Sequence, residues 1–369
     1  MPGVLAWVPG VDPGRLVHHA RLAGDADAVL RHGQVAGDSA ARQGAHREAA
    51  RHYRAAADHA DRLPEPQRAE LLERYASEAH LTGRNEEALQ ARETALTIRE
   101  ALGQPELVGE NLRWISRLSW WTGRVAHARD AAARAVAVLE AGPATRQLAM
   151  AYSNQAQVHV TTHELDEAIA WGERARSLAE QLGDDATAIH ASITVRTARL
   201  AEGDPGAPAA LEKAHEWASA HGLVDHAARA LQNLAMVTAD ELAEYAAAAP
   251  LVDRALHYEQ EHDLDGTYLY MLGSRAKLRL ERCDWSGALA DADATPVRSG
   301  RRRGGAAEQW HRPPCGGGGA DMSYLDTPTE AHSQGDVARL YDADRAHDGH
   351  VANLTKESRA GRRRFVAAR

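Results

Sequence analysis

Larger apolar residues recur in paired helix-like segments along most of the chain: Leu72 and Tyr75, Leu112 and Ile115, Tyr152 and Ala156, Val195 and Leu200, Leu234 and Met236. No strand-like alternation of useful length interrupts them. Six sites fall between paired segments at a spacing of forty residues: Gly83, Gly123, His163, Gly203, Ala243 and Cys283. The spacing predicts a helix A before each site (Glu70 to Leu81, or Asn111 to Thr122) and a helix B after it (Asn85 to Leu102). Gly83 and Gly123 stand where a helix C-terminus calls for a left-handed residue, and Gly103, Gly142, Gly183 and Gly222 are assigned the same task at the ends of B helices.

Small residues keep the same register. Alanine follows five positions after five of the six sites (Ala88, Ala128, Ala168, Ala248, Ala288), with Pro208 as the exception. Twelve positions after the sites stand Ala95, Ala135, Ala175, His215 and Ala255. Helix axes approach closely only where side chains are short, so these positions mark the A/B contact. A fixed period of this size is the sign of stacked helical hairpins, none of which buries its apolar face alone. The expected fold is all-α: a right-handed superhelix of six to seven hairpins, a solenoid of period 40 running from Asp12 to Asp293.

The pattern resembles the tetratricopeptide family, whose unit is about 34 residues with a glycine before helix B and alanines within it. The longer unit is similar to the sensor arrays of LuxR-type ATPase transcriptional regulators. Asn111 to Gly123 (NLRWISRLSWWTG), Leu148 to Gln157 (LAMAYSNQAQ) and Ala168 to Ala175 (AIAWGERA) carry that resemblance, which covers about residues 11–294. It implies a module that binds a protein, a peptide or a small effector in the concave groove, here without nucleotide-binding and helix-turn-helix domains. Groove positions in the family lie 10, 6 and 3 residues before the turn. That register selects Arg113, Arg117 and Trp120 in one unit and Ser153, Gln157 and Val160 in the next, with Asn233 from a later one. Planar cations, an indole and amides suit an extended peptide or small effector. The competing reading makes Trp114, Trp120 and Trp121 packing between hairpins.

Composition narrows the choice. Aromatic residues are 5% of the 369, with one Phe, a usage that fits helices packed through small residues rather than sandwiches or barrels. Residues 296–369 hold 13 Lys+Arg and 9 Asp+Glu, leaving 30 and 43 for residues 1–295. The array is therefore acidic, and direct nucleic-acid binding by the repeats is not expected. Nothing approaches the ~20 apolar residues of a membrane span, and the first fifteen residues lack a basic start and an apolar core, so neither membrane insertion nor a leader is expected. Two cysteines, Cys283 and Cys315, give no disulfide framework and suit a cytoplasmic protein.

The helical pattern stops near Asp293. Pro296 to Ala320 contains seven Gly, five Arg and three Pro, which builds no helix face; it reads as a linker or as translation of GC-rich DNA in a shifted frame. From Met322 to about Thr355 the chain resembles the start of carboxymuconolactone decarboxylase or alkylhydroperoxidase-like proteins. Their Cys-x-x-Cys pair is missing, so that chemistry is not expected. The organisation is thus an extension (1–11), the array (12–294), a linker (295–321) and a largely disordered fragment (322–369). A truncated or decayed gene product without activity is the alternative.

No enzyme, cofactor or metal is expected. None of the three lysines follows a glycine, which excludes the usual phosphate-cradling loop, and Gly300-Arg-Arg-Arg-Gly-Gly follows no strand. Among twenty histidines, His18 and His19 are adjacent and His52 and His59 are two turns apart, neither with the clustered ligands zinc requires. Arg301 to Arg303 and Arg362 to Arg364 are low-complexity basic runs.

Overall fold

A computed structural model describes residues 12–294, so the extension, the linker and the C-terminal fragment lie outside the described residues. The described chain forms fifteen α-helices and one 3₁₀ turn, without strands. Residues 12–271 belong to one compact unit and 272–294 to a second. After α1 (Pro13–Leu22) come the hairpins α2/α3 (Ala26–Arg42, His46–Ala57), α4/α5 (Glu65–Leu81, Asn85–Ala101) and α6/α7 (Pro105–Trp121, Val125–Glu140). They continue with α8/α9 (Arg146–Thr161, Leu165–Gln181), α10/α11 (Asp185–Ala201, Ala207–Ala220) and α12/α13 (Val224–Asp240, Tyr245–Glu261). Last stand α14 (Asp265–Glu281) and α15 (Trp285–Ala294). Two A helices start earlier than the sequence suggested, because Pro66 and Pro105 fit a first helical turn where no amide partner is needed.

Every one of the six periodic sites is left-handed. The glycines have φ of 76° (Gly83), 76° (Gly123) and 85° (Gly203), and three residues with side chains adopt the same region: His163 at 56°, Ala243 at 53° and Cys283 at 63°. At Gly83 the amide bonds to His80 O (2.9 Å) and the next amide, Arg84 N, to Ala79 O (2.7 Å), which satisfies carbonyls the helix end leaves open. Position 142 departs from expectation. Gly142 is absent from the left-handed set, and Pro143 behind it restricts it sterically, so α7 ends at Glu140 in a turn, Gly142 N bonding to Leu139 O (3.2 Å), without a left-handed cap.

The small residues lie where A meets B. Ala88, Ala168 and Ala248 are fully buried, as are Ala95, Ala135, Ala175 and Ala255. In the unit that carries Pro208, the neighbouring Ala207 takes the buried place. Leu112, Ile115, Tyr152, Val195 and Leu200 fill the layers between hairpins, whereas Met236 is half-buried. Among the described residues no helix is long and apolar enough to cross a membrane.

The first unit also closes on itself across large sequence distances. Arg47 on α3 pairs with Asp263 (2.7 Å) and Asp265 (2.5 Å) at the start of α14. A Cβ added to Gly266 would stand 2.9 Å from His80 O and 3.1 Å from Gly83 Cα, so the α4/α5 turn and the start of α14 touch through backbone.

Left-handed alanine costs about 1 kcal/mol more than glycine. Ala243→Gly is therefore expected to stabilise the protein by about 1 kcal/mol in urea unfolding; a loss of stability would show that the turn is not held in this conformation.

Candidate functional site

Successive A helices touch one another directly: α6 with α8, α8 with α10, and α10 with α12. The A helices, α4 included, carry hydrogen bonds between residues about one unit apart. Asn111 Nδ2 donates to Glu73 Oε1 (2.7 Å), Asn154 Nδ2 to Ser116 Oγ (2.9 Å) and Asn233 Nδ2 to Thr197 Oγ1 (2.9 Å). Arg92, from helix α5, reaches in to Ser77 Oγ (2.9 Å). Of the positions the register placed on a groove, Arg113, Arg117 and Ser153 are thus buried in the first unit, while Trp120, Gln157 and Asn233 are half-buried.

The seven predicted residues divide into five and two. Arg117, Trp120, Gln157, Val160 and Asn233 line one cavity of about 50 Å³. Arg113 and Ser153 lie outside its wall, in the surrounding buried network. Arg113 is 8% exposed; it binds Glu110 through Nη2 (2.7 Å) and lies over the Trp114 ring at 4.6 Å, with Arg92 also over that ring at 4.8 Å. Ser153 is fully buried against His190 Nδ1 (2.7 Å). Of the tryptophans, Trp114 packs against the apolar core while Trp120 and Trp121 face the cavity with Val160 and Tyr270. Trp120, which the register places on the groove, is half-buried, and its buried Nε1 has no hydrogen-bond partner.

Arg117 organises the charge. It is 9% exposed, donates from Nε to His80 Nε2 (3.0 Å) and from Nη2 to both oxygens of Asp225 (3.1 and 3.2 Å), 108 residues away on α12. His80 Nδ1 lies 2.7 Å from Asn85 Oδ1, so the network assigns a neutral ring with its proton on Nδ1. Burial, assisted by Arg117, lowers the His80 pKa to about 4. Burial also lowers His226 to about 4 and puts His190 well below its ordinary value, with Arg229 adding to both. For Asp225 burial opposes ionisation, but Arg117 outweighs it and holds the carboxyl below the usual carboxylate range.

Arg229 is the cation this network leaves over. It is 4% exposed, with Nη1 donating to Thr194 Oγ1 (3.0 Å) and Nη2 to the His190 carbonyl. Its Nε has no partner, and it makes no ion pair with a described carboxylate. Burial, then Arg117, pushes its pKa down to about 9, so it stays charged at neutral pH. Larger recesses of about 500–570 Å³ open elsewhere, on the surface. The small cavity is singled out because buried donors without partners line it.

Several of these residues were open to the same register that found Arg117. Glu73, Ser77 and His80 stand 10, 6 and 3 residues before Gly83, and Thr197 stands 6 before Gly203. Arg229, Asp225 and Tyr270 lie further upstream on their helices, and only the approach of α12 and α14 to α6 brings them in.

No protein-family model matches the sequence, and no curated protein matches it. Solved structures do match in fold. A Rap protein complexed with competence and sporulation factor aligns over 79% of this chain and 81% of its own, with a TM-score of 0.56 and 14% identity. The Rap conjugation gene regulator of the plasmid pLS20, in complex with the Phr* peptide, aligns over 75% and 77%, with a TM-score of 0.58 and 14% identity. Aspartyl phosphate phosphatase F from Bacillus subtilis aligns over 76% and 73%, with a TM-score of 0.52 and 12% identity. At such identity the likeness is one of fold: a tetratricopeptide-like array of helical hairpins.

A buried carboxyl beside the cavity gives the site a pH signature. Glu259 on α13 is fully buried; Gln232, a wall residue, donates to its Oε1, and Oε2 has no partner. Burial raises its pKa to about 8. Because the folded value lies above the unfolded one, stability associated with Glu259 is complete below about pH 4.5 and is lost as pH rises to about 8. The histidines have the opposite sign: the contribution of His80 and His226 is present above 6.5 and is lost toward pH 4, and that of His190, whose pKa burial also depresses, is lost as pH falls below its ordinary range. Glu259→Gln should raise stability by roughly 4 kcal/mol at pH 8 and by almost nothing at pH 4.5, as read from urea midpoints. An equal effect at both values would mean that Glu259 is not held protonated.

Proposed function

We propose that this chain is a ligand-binding helical-repeat module whose partner is a peptide or a peptide segment of another protein, received between the A helices. The observation that carries the reading is the convergence of Arg117, Trp120, Gln157 and Asn233, chosen by register from three separate units, on one cavity. Two proteins of similar fold are solved with bound factors, one of them a peptide, which supports the same class of ligand. At about 50 Å³ the cavity is well below the roughly 300 Å³ at which ligand pockets begin, so an extended peptide enters only with separation of α6 from α12. The Arg47 pairs with Asp263 and Asp265 and the Gly83–Gly266 approach are contacts that such opening would strain.

In this reading the chain is a binding module rather than an enzyme, acts in the cytoplasm and does not contact nucleic acid through its repeats. Derivation from a LuxR-type regulator is a narrower proposal supported by the three sequence segments alone. Coding sequence for a nucleotide-binding domain upstream and a helix-turn-helix downstream would bear it out.

Met236 lines the cavity and is half-buried. Met236→Trp fills the space with an apolar side chain and is expected to weaken peptide binding at least about tenfold while changing stability by less than ~1–3 kcal/mol. The measurement is the change in tryptophan emission on adding a random pentapeptide library, followed by titration of the best binders. If no peptide binds the unaltered chain better than Met236→Trp, the cavity is not the binding site.

A further inference from the structure

The geometry points to a carboxylate group as the part of the ligand that the interior cavity recognises, held between the guanidiniums of Arg229 and Arg117 and the indole N–H of Trp120. This deepens the peptide-binding reading and rests on the same cavity. At the wall, Arg117 and Arg229 are charged and Asp225 is the carboxylate they face. Asp225 is engaged by both donor contacts from Arg117 Nη2, which leaves Arg229 without an ion pair. His80, His190 and His226 add no charge at neutral pH, since burial suppresses their protonation. Asp240, near Tyr270, does not line the cavity.

A cation removed from water and lacking a counter-ion is among the costlier arrangements in a protein interior. Here it sits at a cavity large enough for several water-sized groups. Arg229 Nε and Trp120 Nε1 are both buried donors without acceptors, and both residues line that cavity. One surplus positive charge matches a monoanion; a phosphate dianion would leave the balance negative. Val160, Met236, Val237 and Tyr270 supply an apolar side to the same space, which suits an organic acid over a bare halide. The planar guanidinium fits the two oxygens of a carboxylate.

The carboxylate comes either from a free organic acid or from an acidic group or C-terminus of a peptide, and the test separates these sources. Isotope-labelled protein is titrated with acetate, with its neutral isostere acetamide, with inorganic phosphate, and with library-derived pentapeptides prepared as free acids and as amides, while the Trp120 indole and Arg229 Nε–H resonances are followed. Acetate is expected to shift both resonances saturably and acetamide neither. Arg229→Met removes an unpaired buried charge and keeps an apolar side chain of similar length, so it should fold, and should weaken acetate binding about 30-fold or more. Gln157→Glu, which places a carboxylate in the wall, should fold and compete with acetate to a similar extent.

Equal response to acetate and acetamide, tighter binding of phosphate, no response in the unaltered chain, or unchanged acetate affinity in Arg229→Met would each overturn the assignment. Peptides that bind equally as acids and amides while acetate is silent would overturn the carboxylate and leave the peptide reading intact. Acetate binding with every peptide silent would do the reverse and point to a free organic acid.

Discussion

Helix B reaches helix A only where both present short side chains, and the rest of the first unit follows from that contact. Ala88, Ala95, Ala135, Ala168, Ala175, Ala248 and Ala255 are buried without residual exposure or nearly so. A longer side chain at any of them would have to move an axis or leave its rotamer. With each hairpin held tightly, the faces left to bury belong to the A helices, and these stack on one another. Asparagine, serine and threonine on those faces then find partners one unit along, which is why a polar surface could be turned inward at all.

Turning it inward changes the chemistry of the charges it carries. On an open wall Arg117 and Arg113 would be solvated and their ion pairs worth little. Inside, Arg117 holds Asp225 across 108 residues, and loss of either partner would leave a buried charge alone. The same dryness keeps the histidines neutral and Glu259 protonated. Arg229 remains as a charge with hydrogen bonds but no counter-ion. The cavity therefore borders a buried cation that no described carboxylate pairs with.

How much of this was legible depended on whether a feature lives within one period or between periods. The turn at Gly83, the buried Ala88 and Ala95, and the groove positions Arg117, Gln157 and Asn233 all follow from register within a unit. His80 and Ser77 follow the same register one unit earlier. Gly142 was misread because the glycine was weighed without the proline behind it. What the period does not carry is how far one unit advances past the next. The meeting of α6 with α12, and of Gly83 with Gly266, depends on that advance, so Asp225, Arg229 and Tyr270 were out of reach and the interior looked like an open groove.

The claim underneath is that the histidines within this polar network are shielded from water in the folded protein. Titration of the histidine ring resonances by NMR tests it most directly, because a sealed ring resists protonation while a solvated one does not. The account predicts that His80 and His226 stay neutral until pH approaches 4 in the folded chain. Protonation of both near the ordinary value of about 6.5, with the fold intact, would contradict it.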